Sequence, residues 1–316
     1  MKKNSKQGKM DLFRSNITSI ILLGFPDLHI FKFLFSTLLI IVYYGVIAGN
    51  LLIITLYLVS KALQSPMYFF ITQLSLCDIL VTTDIVPTLL NSVLDGEIMV
   101  SFIGCIIQFF FFATSEAMEC LLLSVMSYDR YLAICNPLRY NAIMTKKFCG
   151  ISVNVILWTC VVITSSSLIS MYNLHFCGQN VIDHFYCDFV PLVQLSCSDT
   201  TIIDIQGLIL GFLVVAVPFV IIVISYVYIV IAILKIPSNT GRHKAFSTCS
   251  SHLTVVSIFY GTLFIVYMFP TKGQTLILNK VLSLMYSVLT PLLNPIIYTL
   301  RNKDFKDAFN KLKSSF

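Results

Sequence analysis

"SVMSYDRYLAIC", Ser124–Cys135, places an acid and a base, Asp129 and Arg130, side by side at the foot of a long apolar run. What surrounds that pair decides the fold. The 316-residue chain is 57% hydrophobic and 11% charged, against roughly 25% charged in a soluble domain. A soluble protein so composed would expose very large apolar patches, so the chain reads as an integral membrane protein. Its formal charge of +6 does not indicate nucleic acid. The basic residues sit in short loops between apolar stretches, where they report membrane orientation. The first apolar run, Phe33 to Val59, has 27 residues, too many for the core of a cleaved signal peptide.

A spanning helix needs about 20 apolar residues, and seven stretches qualify: 33–59, 67–90, 102–126, 148–174, 205–234, 246–270 and 281–300. They are continuous and do not alternate, which excludes a closed barrel. The expected fold is an all-α membrane protein, a seven-transmembrane helix bundle over 33–300. An extracellular tail, 1–32, precedes it, and a cytoplasmic amphipathic helix and tail, 301–316, follow. In "RNKDFKDAFNKLK", Phe305, Ala308, Phe309 and Leu312 keep a helical spacing with lysines opposite, the pattern of a helix lying on the inner leaflet.

With the N-terminus outside, 13 Lys and Arg fall on the cytoplasmic side and 8 on the other, five of these in the tail. Two features support this orientation. The tail carries the sequon "NIT" at Asn16. Four of the ten cysteines, Cys105, Cys177, Cys187 and Cys197, fall on the oxidising side, where four can pair completely in three ways. The expected location is the plasma membrane, multi-pass, with the N-terminus extracellular.

Ionisable groups inside membrane helices are costly and mark function by default. Here they are Asp78, Asp84, Glu116, Glu119 and the Asp129–Arg130 pair, with His252 nearby in character. Alternatively they satisfy one another and tie helices together. Phe109, Phe112, Ala113 and Glu116 share one helical face, and Tyr260, Leu263, Phe264 and Tyr267 another. Together with Leu210 they are the expected ligand-binding residues, a mostly apolar wall suited to small volatile molecules. Ordinary helix packing would produce the same spacing. Glu116, facing an apolar pocket, could pair with an amine ligand or share a proton with Glu119 one turn away.

Four motifs in order, "SPMYFF" (Ser65–Phe70), "MSYDRYLAICNPLRY" (Met126–Tyr140), "KAFSTCSSHLTVV" (Lys244–Val256) and "PLLNPIIYTLRNK" (Pro291–Lys303), resemble the signatures of vertebrate odorant receptors. These are rhodopsin-like G-protein-coupled receptors, and the likeness to the tetrapod-type class runs from about residue 20 to 310. Ser127 and Leu132 depart from the commoner Ala and Val. The tail before Met10 is long for the family, and a start at Met10 would remove four outer lysines.

The resemblance implies a small-molecule odorant, membrane lipids and a stimulatory heterotrimeric G protein raising cyclic AMP as partners, with no nucleic acid and no enzymatic activity. It implies a G-protein switch of Asp129, Arg130, Tyr131, Tyr226, Asn294, Pro295 and Tyr298, in which Asp129 neutralises Arg130 at rest. It gathers Asn50, Asp78, Glu119 and Asn294 in one mid-membrane network. Two close carboxyls there call for a sodium ion at Asp78 and Glu119, or a shared proton; no other cofactor is implied. It selects the pairings Cys105–Cys187 and Cys177–Cys197. At helix six "FYG", Phe259–Gly261, stands where most rhodopsin-like receptors carry Trp and Pro, so the resemblance puts ligand-driven repacking around Tyr260.

A light receptor would need a Schiff-base lysine in the last segment, and Val281 to Leu300 holds none. A transporter would need a continuous polar path, which five carboxylates confined to the second and third segments do not line. A chemoreceptor of the same fold outside the nose, for amines through Glu116, is the alternative.

Overall fold

Helix boundaries follow local chemistry. In the computed structural model, which describes residues 18–172, 174–176, 180–268, 276–301 and 303–314, seven long helices run back and forth. They are α1 (Lys32–Val59), α2 (Pro66–Asp95), α3 (Phe102–Cys135), α4 (Lys146–Tyr172), α5 (Thr201–Leu234), α6 (Asn239–Met268) and α7. The last is built from Leu276–Leu284, Met285–Leu289 and Thr290–Arg301. Ser65 followed by Pro66 starts α2, the proline's missing N–H falling where no intrahelical partner exists. Ser101 Oγ accepts from the Gly104 amide at 3.0 Å and caps α3. Gly96, at φ 88°, ends α2 in a backbone conformation that other residues resist.

Six of the seven are long and apolar enough to cross a membrane. The sixth span is interrupted by polar residues, and its apolar stretch is Cys249–Ile265. The helices run beyond the apolar segments: α3 continues to Cys135 and α6 begins at Asn239. Wide turns, Phe212–Ala216 in α5 and Met285–Leu289 in α7, lie just before Pro218 and Pro291. A proline ring displaces the carbonyl four residues back, and the helix loosens there. A further helix, α8 (Lys303–Ser314), buries Phe305 and Ala308 while Phe309 stays exposed. Tyr68 Oη donates to Asp304 Oδ2 at 2.7 Å and its ring meets Phe305 edge-on, fixing α8 to the base of α2.

The expected tail at 1–32 is more than a tail. Ser19–Leu22 forms β1, which pairs antiparallel with β2 (Ile98–Ser101) and parallel with β3 (Val181–Ile182). The all-α description therefore gains a small three-stranded sheet at one end of the bundle. Ile20 and Leu22 are completely buried beneath it. The α2–α3 connection and the α4–α5 loop supply the partner strands, so the segment before α1 ties two distant loops together.

Candidate functional site

The sheet-bearing end is layered by side chains from α3. Gln108 Nε2 donates to Asp84 O at 3.0 Å, and its Oε1 accepts from the Cys187 amide at 3.0 Å. A disulfide joins Cys105 of α3 to Cys187. Cys197 is also disulfide-bonded; Cys177, like the sequon at Asn16, lies outside the described residues. The six other cysteines are free. Tyr186 and Tyr286 share a hydrogen bond of 2.5 Å across loop and α7, and the Phe112 ring packs on both.

Under this layer lies a cavity of about 470 Å³. Of the nine expected ligand residues, Phe109, Phe112, Ala113, Glu116, Leu210, Leu263 and Phe264 line it. Tyr260 does not. Its Oη donates to Cys120 O at 3.3 Å, and its ring packs on Phe219 and Phe264 beside a second, membrane-facing groove between α5 and α6. The Tyr267 side chain is outside the described set. Sequence reasoning missed the contributions of α4 (Ile163, Thr164, Ser167) and of the loop (Asp188, Phe189) to the cavity wall. The neighbourhood of Asp188 to Cys187, which is pinned to α3, is the signal that points to the loop residue.

Burial pushes the Asp188 carboxyl up to about 6, although the Phe189 amide donates to it at 2.7 Å. His184 is pushed the other way, down to about 3, by burial and the ammonium of Lys280. Lys280, 4% exposed at the top of α7, donates to Leu23 O at 3.0 Å, Gly24 O at 2.8 Å and Asp183 Oδ1 at 2.5 Å. It therefore clamps the segment before α1 and the α4–α5 loop onto α7.

Midway down, Asn294 Nδ2 donates to both oxygens of Asp78, at 3.0 and 3.1 Å. Asn50 Nδ2 donates to Pro291 O, one turn from Asn294, at 3.1 Å. Glu119, fully buried, lies within electrostatic reach of Asp78. The buried oxygens Asn50 Oδ1, Asn294 Oδ1 and Glu119 Oε1 have no hydrogen-bond partner among the described residues. Such a set of hard oxygen donors fits a sodium ion or a shared proton. Among the described residues, no group of three or more His, Cys, Asp or Glu is disposed to hold a metal.

At the opposite end, Asp129 Oδ2 accepts from Arg130 Nε at 3.1 Å and Nη2 at 2.8 Å, while Oδ1 accepts from Tyr140 Oη at 2.8 Å. Asp129 is fully buried; the Arg130 side chain keeps 14% exposure. Burial and the neighbouring Asp129 carboxylate push the Tyr140 phenol well above its usual range. Tyr131 stands apart from the pair, packed on Tyr128 and Tyr228. Pro295 packs on α1, where a Cβ on Gly49 would meet its ring at 2.9 Å. Tyr226 Oη bonds His252 Nδ1 at 2.7 Å, linking α5 to α6. His252 was not among the expected switch residues. Tyr298 Oη is buried and unpartnered among the described residues.

A bundle of seven membrane-spanning helices, an apolar cavity at one end and a charged pair at the other describe a multi-pass receptor. Comparison with known proteins agrees. The family described as Olfactory receptor matches residues 39–315. The chain is 45% identical to human Olfactory receptor 11A1 over 298 residues, 94% of each chain. It is 44% identical to human Olfactory receptor 11L1 (94% of this chain, 92% of that one) and 42% identical to mouse Olfactory receptor 1M1 (94% and 95%). The chain belongs to the olfactory receptor family, G-protein-coupled receptors and not enzymes.

Proposed function

We propose that the cavity between α3, α5, α6 and α7 binds small, mostly apolar volatile ligands, and that binding activates a stimulatory, olfactory-type G protein and raises cyclic AMP. The observation that carries this reading is the cavity itself. Its volume of about 470 Å³ and its phenylalanine-rich wall suit a compact apolar molecule, since pockets of this kind range from roughly 300 to 1,000 Å³. The receptor would stand in the plasma membrane with the cavity and Asn16 outside and Arg130 inside, in keeping with the loop charges.

A ligand filling the cavity presses on Phe264, which packs on Phe219 and through it on Tyr260. Loss of the bond from Tyr260 to Cys120 O loosens α6 from α3. Nothing lies within 4 Å of where a Gly261 Cβ would be, so α6 can bend there without meeting a neighbour. Its inner end then swings out and the Tyr226–His252 bond parts. Arg130 leaves Asp129 to meet the G protein, and Tyr226, Tyr298 and the Asn294–Pro295 turn hold the opened form. The two states form a bistable element that a ligand biases through differential contacts. A sodium ion held by Asp78, Glu119 and the amide oxygens of Asn50 and Asn294 would supply positive charge between two carboxyls; a shared proton does the same. Either stabilises the closed packing.

The test is a cyclic-AMP response to a neutral odorant panel in cells supplied with the stimulatory G protein. Wild type should respond, and Arg130→Ala should be silent at unchanged surface expression. A full response from Arg130→Ala would remove Arg130 from the switch. Wild-type activation only through a G protein of another class would reject the cyclic-AMP route.

A further inference from the structure

Glu116 stands on the wall of the cavity, yet both of its carboxyl oxygens are buried and neither has a hydrogen-bond partner among the described residues. Glu119, one turn away, lies within electrostatic reach but is an acceptor too unless it carries a proton. Asp78 is already paired with Asn294. A second carboxyl, Asp188, lines the same cavity from the loop side, one oxygen engaged by the Phe189 amide. No Lys, Arg or His is among the described lining residues. Lys280, a cation at this end, is held by Asp183 and two backbone carbonyls. Among the described residues the cavity thus carries two acids and no base.

An unpartnered carboxyl against apolar walls is unfavourable, and a ligand that supplies the missing donor recovers that cost. Resting on the reading of this cavity as the odorant site, we propose that the preferred ligands are primary amines with a compact apolar body, their ammonium bonded to Glu116 and their ring or chain packed on Phe109, Phe112 and Phe264. An ammonium brings three donors and a full charge, whereas an alcohol of the same shape brings one donor and no charge. A carboxylate of that shape finds two carboxyls and no cation among the described lining residues, and is excluded. The amine favours this cavity twice over, because aromatic faces also attract cations.

The experiment compares cyclohexylamine, cyclohexanol and cyclohexanecarboxylate, with a neutral ester panel alongside, on wild type, Glu116→Gln, Glu116→Asp and Asp188→Asn, each counted at the cell surface. The amine should activate wild type at a concentration about tenfold or more below the alcohol, and the carboxylate should be inert. Glu116→Gln should weaken the amine by about tenfold to a hundredfold and the alcohol by much less, since a Gln oxygen still accepts from a hydroxyl. Glu116→Asp, which keeps the charge, should restore part of the loss and so separates charge from folding. Asp188→Asn should produce a smaller shift. Equal potency of amine and alcohol, an amine response unmoved by Glu116→Gln, or amine silence in a surface-expressed receptor each overturns the proposal. A receptor that answers esters and not amines would retain its odorant-receptor reading while losing this one.

Discussion

Replacing Lys280 with Met tests whether one buried ammonium holds the sheet-bearing end together. The substitution keeps most of the aliphatic stem, so little cavity opens, and only the charged donor is removed. Asp183 is 44% exposed, so water takes over its half of the ion pair and that loss is under about 1 kcal/mol. The carbonyls of Leu23 and Gly24 fare worse. Gly24 is buried and Leu23 half-buried; an orphaned buried acceptor costs about 1–3 kcal/mol, and one that water reaches costs less. The sum is about 1–5 kcal/mol, concentrated in the segment before α1 and the α4–α5 loop. The assay is thermal unfolding in detergent, followed by a thiol-reactive fluorophore that reports exposure of buried free cysteines such as Cys77, Cys120 and Cys160. Limited proteolysis between residues 18 and 31 measures the local release. The expected result is a midpoint lower by several degrees and faster cleavage of that segment. A midpoint within the equivalent of about 0.5 kcal/mol of wild type, with unchanged cleavage, would refute the clamp.

Tyr140→Phe removes one hydrogen bond to the Asp129 carboxylate, worth about 1.5–3 kcal/mol when the acceptor is charged; basal cyclic AMP per surface receptor should rise several-fold, and an unchanged basal level would show that Tyr140 does not restrain the pair. Gly49→Ala drives a methyl into the Pro295 ring at 2.9 Å, whereas Gly45→Ala meets only the end of the Leu292 side chain, Cδ1, at 3.1 Å. The first should cost about 1–3 kcal/mol of stability and the second clearly less, with equal losses in surface yield and melting counting against the α1–α7 contact. Acid should act on the outer layer in two opposed ways. His184 is neutral in the fold down to about 3 against 6.5 when unfolded, so its contribution to stability falls as pH drops from 6.5 towards 3. Asp188, at about 6 against 3.8, takes a proton earlier in the fold, so its contribution rises as pH drops from 6 to 3.8. Each slope is at most about 1.4 kcal/mol per pH unit. Melting of Asp188→Asn should therefore fall on acidification from pH 6.5, and that of His184→Gln should rise between pH 6 and 4; the same profile from both variants would reject these assignments.

The sequence by itself determined the membrane class, the seven spans and the family, because those rest on composition, run length and short motifs that are local to the chain. The terminal helix α8 was legible for the same reason: its apolar spacing is complete within twelve residues. The small sheet was not, since β3 has two residues and β1 four, too few to show any periodicity, and only their pairing makes them strands. Periodicity likewise put Tyr260 on the face of Leu263 and Phe264, while the tertiary packing set its hydroxyl on the Cys120 carbonyl and its ring against Phe219. Which acids are satisfied was beyond the sequence too. Asp78 finds Asn294 at a separation of 216 residues, and Lys280 finds Gly24 at 256. The spacing of Glu116 and Glu119 left a partnership open, whereas the placement of Glu116 on the cavity wall comes from the packing of the bundle. Hydrogen bonding depends on ångström-scale distances between helices far apart in the chain, and those distances are set only when the bundle closes.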